Sequence, residues 1–186
     1  MPAEKFRFCP RCAAKLEPRL IRANELMGCD SCGYVQYLNP VGAAAGLVLR
    51  GEEVLLVQRG IEPFKGSWAI PAGYQDPGES PADAAEREIL EETGLEVRAG
   101  ALLDLLWVPD DPRKPANVAL FACTLAGGTL QAADDAMSAQ WFPLAELPPD
   151  LAFDNKAQVF DRLIAGGDLR RRLDALGGNS PSGFVD

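Results

Sequence analysis

The residues best suited to chemistry lie in one run, GYQDPGESPADAAEREILEETGL, from Gly73 to Leu95. On a helix advancing about 100° per residue, Glu88, Glu91 and Glu92 fall within an arc of about 100° of one face, while Ile89 turns to another side and is available for packing. Carboxylates this close repel one another, and like charges at helical spacings destabilise the helix unless a cation sits among them. Mg²⁺ takes oxygen ligands, keeps several waters and bridges one or two carboxylates to substrate phosphates. A solvated acidic face is the ordinary meaning of such a charge run. Arg87 tips the balance, because it can pair with Glu79 in the preceding loop and so tie that loop to the helix. A metal-dependent phosphate site is the expectation. A second set, Cys9, Cys12, Cys29 and Cys32, forms two CxxC pairs separated by sixteen residues, which suits a closed four-thiolate zinc site. Two disulfides or a redox motif rank below zinc in a chain whose start is unlike a secretory signal.

The elements that must hold these residues are legible from the punctuation. Pro71, Gly73 and Gly78 are turn formers. Ser80 followed by Pro81 supplies an N-cap hydroxyl and a favoured first helical residue, Asp83 reinforces the cap, and Gly94 offers a left-handed exit. In the cysteine region Pro10 and the Gly33-Tyr34 pair suit tight knuckles, Lys15 to Met27 leaves room for a short hairpin, and Tyr34 to Pro40 reads as a linker. Val41–Arg50 and Val54–Gln58 around Gly51 predict a hairpin. Ser67–Ile70 predicts a short strand feeding the carboxylate run, and Asn117–Leu125 a long strand in which Cys123 is buried. A loop rich in Pro and Asp spans 109–115, another short strand is expected at Ala139–Phe142, and a final helical segment from Asn155 to about Leu176. The fold class expected is α/β, a mixed sheet between helices.

Composition bounds the function. With 186 residues and 47% hydrophobic content, the chain can bury one substantial core plus a small appendage. Residues 1–38 would be the cysteine module, 39–176 the main domain and 177–186 a disordered tail. A net charge of −9 makes a broad polyanion-binding face, and hence nucleic acid, an unlikely partner, so a phosphate substrate needs local cations or metals. No apolar run approaches about 18 residues, and a cytoplasmic enzyme without membrane attachment is expected. The chain has no histidine, which excludes His-based nucleophile activation and His metal ligands.

The spacing Gly73, five residues, Glu79, seven residues, Arg87-Glu88-Ile89, one residue, Glu91-Glu92, one residue, Gly94-Leu95 resembles the Nudix box, with no fixed position departing from the pattern. The resemblance implies a Nudix α/β/α sandwich that cleaves a nucleoside diphosphate linked to another moiety, using Mg²⁺ or Mn²⁺ held by Glu88, Glu91 and Glu92. Glu79 and Arg87 correspond to the loop-fixing pair and join Glu91 and Glu92 among the catalytic candidates. Gly73 and Asp135 complete the candidate magnesium set. Asp135 stands six positions before Trp141, where many Nudix enzymes carry an acid, more often Glu. Glu92 or Glu91 is the expected base, with Asp135 as the outside candidate. The cysteine module resembles a zinc ribbon, its zinc structural, packing on the main domain or on a partner subunit in a homodimer.

Arg59, Phe64, Trp68 and Trp107 are the candidate substrate contacts, Arg59 for a phosphate and the aromatics for stacking on a base; a surface salt bridge and ordinary core packing are the bland readings. Ribbon-bearing NADH pyrophosphatases carry Ser-Gln-Pro-Trp-Pro-Phe-Pro after the box, and DLLWVPDDPRKPANVALF here does not show it. Tyr37, Asn39 and Pro40, the Pro71-Ala72-Gly73-Tyr74 approach and Leu151-Ala152-Phe153 are more like a group that includes plant-organelle pyrophosphatases acting on FAD and ADP-ribose. FAD and ADP-ribose are therefore expected ahead of NADH. A nucleotide-sensing regulator that binds without cleaving is the reading from another class, and retention of every box carboxylate argues against it.

Overall fold

The computed structural model describes residues 6–109 and 115–175. The tail expected at 177–186, and positions 110–114 of the Pro-rich loop, lie outside the described residues. Chain contacts divide the molecule into two compact units, with the boundary between Pro40 and Val41. Among the described residues no helix is long and apolar enough to cross a membrane.

The first unit is a three-stranded sheet, β1 (Glu17–Ile21), β2 (Asn24–Gly28) and β3 (Val35–Gln36). The β1–β2 hairpin closes through Arg22 and Ala23, both at positive φ, the backbone that a two-residue primed turn requires. The stretch expected as a linker from Tyr34 contributes β3, which pairs with β2 at Met27 and Gly28. A short polar segment offers no periodicity by which such a two-residue strand could be read.

The second unit is built on a seven-stranded mixed sheet: β4 (Val41–Arg50), β5 (Glu53–Arg59), β6 (Trp68–Ala69), β7 (Ala72–Tyr74), β8 (Leu95–Val108), β9 (Ala116–Gly128) and β10 (Ala136–Pro143), with the helix α1 (Pro81–Thr93) between β7 and β8. The main path runs β10-β5-β4-β9-β8, with β4 and β9 parallel and the other pairs antiparallel. The predicted β4–β5 hairpin forms around Gly51, but its strands share only the pairs Leu49↔Val54 and Arg50↔Glu53 before they splay. Into the gap goes the segment from Trp68 to Tyr74, β6 pairing with β5 and β7 with β4. That wedge carries Gly73 and the start of the carboxylate run into the middle of the sheet.

Alternation along the strands sets the layers. Leu47 and Leu56 belong to the main apolar core, with Leu103, Leu120, Val159, Phe160, Leu163, Leu169 and Leu173. Their neighbours Val48 and Leu55 face the other way, against Ile89 of α1, Leu95, Val97 and Cys123. Helices thus cover both faces, the α/β/α sandwich expected. Small residues on β4 let α1 come close: Ala44 packs with Ala84 and Ala85, and a methyl group at Gly46 would collide with Ile89.

The single C-terminal helix expected is instead a π-helical turn (Lys156–Phe160), the short helix α2 (Asp161–Leu163), a 3-10 turn (Ile164–Gly166) and α3 (Asp168–Ala175). Gly166 takes a positive φ, and Gly167 comes so close to the Arg162 backbone that a side chain there would clash. Arg162 secures the break by donating to both carboxylate oxygens of Asp168, at 2.9 and 2.6 Å, and by an ion pair with Asp104 at 2.7 Å.

Candidate active site and metal centre

Helix α1 begins and ends as its sequence predicts. Ser80 is the N-cap and accepts from the Asp83 N–H at 3.2 Å, Pro81 opens the first turn, and Gly94 leaves in the left-handed region while its N–H donates to Leu90 O at 2.8 Å. Pinning both ends fixes the rotation of the helix, and with it the depth of each glutamate. The three do not share one environment: Glu91 is exposed, Glu88 is half-buried and Glu92 is 4% exposed. Glu92 lies three residues after the buried Ile89, where a helical side chain turns toward the sheet.

Arg87 organises the outer part of the cluster. Its Nε and Nη2 donate to the two oxygens of Glu79 at 2.8 and 2.9 Å, a bidentate pair. Nη1 donates to Glu88 at 2.8 Å and to Glu91 at 2.9 Å, and Nη2 also reaches Tyr74 O at 3.0 Å. All five guanidinium donors are therefore engaged. Glu79 accepts in addition from the Asp76 N–H at 3.0 Å. One arginine thus sets the loop against the helix and holds one oxygen of each outer glutamate, leaving the other oxygen of each for a ligand.

The inner part is different in kind. Burial, followed by the charges of Asp135 and Glu88, pushes the Glu92 carboxyl well above the usual carboxylate range, against a hydrogen bond from Ala72 and the field of Arg59. Its Oε2 is buried and, among the described residues, accepts no hydrogen bond. Burial likewise raises Glu88, opposed by Arg87 and reinforced by Glu91 and Asp135. A methyl group at Gly73 would overlap the Glu88 carboxyl group, so the glycine gives that carboxylate its place beside the β7 backbone. Asp135 arrives on the loop after β9, stitched to the end of α1 by Ala133 N to Glu92 O at 3.2 Å and to β5 by Gly60 N to Asp135 O at 2.6 Å. A buried oxygen without a donor, like charges facing one another and an all-oxygen donor set fit a hard divalent cation.

The substrate candidates separate. Arg59 ends β5, its guanidinium 4.7 Å from the centre of the Phe153 ring, with Nε donating to Pro63 O at 2.9 Å. Phe64 meets the same Phe153 ring edge-on, centroids 4.9 Å apart. Trp68 packs edge-on against Phe142 at 4.7 Å within the main core, and Trp107 is 47% exposed on the edge strand β8. Phe153 enters the sequence reading only through the Leu151-Ala152-Phe153 likeness and is not among its substrate candidates, since a lone aromatic carries no periodic signal.

The NUDIX domain family matches residues 40–163, two thirds of the chain. The protein is a Nudix hydrolase. It is 40% identical over 129 residues to an ADP-ribose pyrophosphatase of Methanocaldococcus jannaschii, covering 69% of this chain and 76% of that protein. It is 32% identical over 148 residues to the NAD-capped RNA hydrolase NudC of Pseudomonas aeruginosa, covering 79% of this chain and 51% of the relative, so it spans about half the length of that protein. A Nudix hydrolase crystal structure from Nitrosomonas europaea superposes with a TM-score of 0.74 at 24% identity, covering 96% of this chain and 97% of the other, a likeness of fold.

In this Nudix hydrolase the first unit gathers its four cysteines. All four Sγ atoms lie within 4.8 Å of one another, with Cys9 and Cys32, and Cys12 and Cys29, 3.5 Å apart. Thiolates about 2.3 Å from a tetrahedral zinc stand about 3.8 Å apart, so the donors fit. The two knuckles repeat one backbone pattern: Cys9 N donates to Ala14 O and Ala13 N to Cys9 O, while Cys29 N donates to Tyr34 O and Gly33 N to Cys29 O. Ala13 and Gly33 both take positive φ. Against the burial that raises it, N–H groups of Arg11 and Cys12 bring the Cys9 thiol down to about 7. Against the N–H groups of Ala14 and Tyr34 that lower them, hydrogen bonding among the sulfurs pushes the Cys12 and Cys32 thiols up, so the thiols share protons in the absence of a cation.

The Glu79–Arg87 pair predicts a stability effect with a defined sign. Hydrogen bonding to Arg87 and to the Asp76 N–H lowers the Glu79 carboxyl to about 2. A depressed folded value contributes stability that is complete above the unfolded range, near pH 4.5, and is lost as pH falls toward 2. Melting temperatures of the native protein and of Glu79→Gln should therefore differ at pH 6 and converge between about pH 4.5 and 2; a difference that persists unchanged at pH 2 would contradict the pairing.

Proposed function

We propose that this Nudix hydrolase cleaves the pyrophosphate of an adenosine diphosphate linked to another moiety, ADP-ribose and FAD ahead of NADH, giving AMP and the remaining phosphate ester. The carrying observation is Glu92, a nearly inaccessible carboxylate with an oxygen that has no donor among the described residues, facing Glu88 and Asp135. Burying such a group lowers folding stability, so its place at the centre of the box calls for a cation. Glu88, Glu91 and Glu92, with Gly73 and Asp135 alongside, would hold Mg²⁺ or Mn²⁺. When bound, the ion neutralises charge on the diphosphate oxygens and acidifies the attacking water. The chain's own part is positional. Arg87 holds Glu79, Glu88 and Glu91 in register with the loop, and Glu92 or Glu91 takes the proton released as water adds to phosphorus. The reaction breaks one P–O bond of the anhydride and consumes one water, leaving a phosphate on each product.

Residues 1–38 read as a zinc ribbon in which Zn²⁺ is structural, and 39–176 as the catalytic domain. The adenosine-containing substrate class draws support from the 40% identical ADP-ribose pyrophosphatase, and the order within it from the missing NADH-type stretch after the box. The test is a competition of FAD, ADP-ribose, NADH, diadenosine polyphosphates and nucleoside triphosphates at equal concentration with Mg²⁺, products resolved by chromatography. AMP from ADP-ribose or FAD should appear first. Faster release of nicotinamide mononucleotide from NADH, or faster cleavage of a triphosphate, would overturn the order.

A further inference from the structure

Beside the carboxylates, side chains from two distant stretches meet in a cluster that the box chemistry does not use. Arg59 lies over the face of Phe153, and the edge contact of Phe64 with that ring is inclined at 72°. Phe64 and Phe153 both have positive φ, 63° and 54°, a backbone region that bulky side chains seldom adopt and that persists where the surroundings enforce it. Their exposures differ in a useful way. Phe153 is half-buried and packs against Ala43, Val108 and Ala116, whereas Phe64 remains 39% exposed. Trp68, from the same stretch of chain, goes instead into the core against Phe142. Phe64 is thus a partly accessible ring steadied by an edge-type contact with a second ring, unlike Trp68, which is spent in the core.

The cluster borders the reaction centre. Arg59 is followed by Gly60, whose N–H holds the Asp135 carbonyl and whose Cα leaves no room for a side chain there. Arg59 is paired in register with Ala136, next to Asp135. Phe64, Phe153 and Arg59 thus lie together beside the loop that carries Asp135, Arg59 touching the Phe153 ring and the Pro63 carbonyl next to Phe64. A nucleoside diphosphate presents the complementary groups, a base and phosphates, a short distance apart.

We propose that Phe64 is the stacking platform for the nucleobase of the substrate, that Phe153 is the positioning residue that holds it, and that Arg59 faces the adjacent phosphate. This rests on the reading of the box as a diphosphate-cleaving site. Every base has a π face, so stacking separates substrates with a base from those without one and discriminates little among bases.

The test compares ADP-ribose with a base-free ribose diphosphate ester, 5-phosphoribosyl 1-diphosphate, on Phe64→Ala, Phe64→Trp, Phe153→Ala and Phe153→Tyr in the full chain with Mg²⁺. Phe64→Ala should reduce the preference for ADP-ribose over the base-free ester about tenfold, mainly through KM, and Phe64→Trp should restore it. Phe153→Ala should reproduce the loss and Phe153→Tyr, which keeps the ring, should recover it. A calorimetric titration with AMP reads the same contact without turnover, and Phe64→Ala should weaken it about tenfold. If the native protein cleaves neither ester, the hydrolase reading fails, and the AMP titration alone decides the platform. Native protein that does not bind AMP, AMP binding unchanged by Phe64→Ala, or an equal fall in kcat on both esters overturns the proposal.

Discussion

Glu92→Gln is expected to remove most of the turnover while making the metal-free protein more resistant to heat. The two effects have one cause. The native carboxylate is almost fully buried, faces Asp135 and Glu88, and has an oxygen without a donor among the described residues. Gln removes the charge and keeps a carbonyl for the Ala72 N–H. Loss of a group serving as metal ligand or base is worth about 10²- to 10⁴-fold in kcat. The sign of the stability effect follows from the raised carboxyl. A folded value above the unfolded one means that the ionised form weakens the fold at neutral pH, and that the penalty fades as pH falls through the raised value toward the ordinary carboxylate range. In EDTA at pH 7 the variant should melt above the native protein, and the gap should close as pH is lowered. Mg²⁺ should close it from the other side by binding the native fold. A Glu92→Gln protein that melts lower in EDTA at pH 7 would show that the carboxylate is a structural partner.

The second large effect is expected from the cysteine cluster. The buried core of the first unit is Leu16 with Cys9 and Cys29, flanked by Ala14, Met27 and Tyr34. Burying one Leu contributes about 1.5–3 kcal/mol, whereas structural zinc in small peptides supplies about 10–16 kcal/mol of apparent binding free energy. The metal term dominates. Purified protein should carry about one Zn²⁺ per chain, and Cys29→Ser or a strong chelator should abolish amide-exchange protection in β1, β2 and β3 while α1 stays protected. Metal analysis without zinc, or a Cys9–Cys12 disulfide in freshly reduced protein, would contradict the assignment.

What the sequence made legible was local and punctuated. Ser80, Pro81 and Gly94 marked both ends of α1, the CxxC pairs marked the knuckles, and Gly51 marked the β4–β5 turn, because caps and turns depend on single residue types at short range. Depth was not legible. A helical wheel places Glu88, Glu91 and Glu92 together, yet only packing of α1 onto Ala44 and Gly46 makes one exposed, one half-buried and one buried. The wedge from Trp68 to Tyr74 between β4 and β5 was hidden as well, since strand pairing is a long-range choice. Phe153 belongs to the same class: 89 residues separate it from Phe64, and nothing near either predicts that they touch. At the C-terminus, Gly166 and Gly167 are visible in the sequence, yet the expected helix from Asn155 to about Leu176 runs through them; buried positions such as Val159, Leu163, Leu169 and Leu173 lie on both sides of the break.

The most direct test of the metal-dependent site is AMP release from ADP-ribose, measured against Mg²⁺ concentration for metal-stripped native protein and for Glu91→Gln. Glu91 is exposed and gives one oxygen to Arg87, and Gln is nearly as good a helix former as Glu, so the variant should keep its fold. The account predicts no AMP from native protein without added metal, saturable release with Mg²⁺, and release lower by about 10²-fold or more from Glu91→Gln at every metal concentration. AMP release that persists in EDTA, or a Glu91→Gln protein that matches the native rate with Mg²⁺, would contradict it.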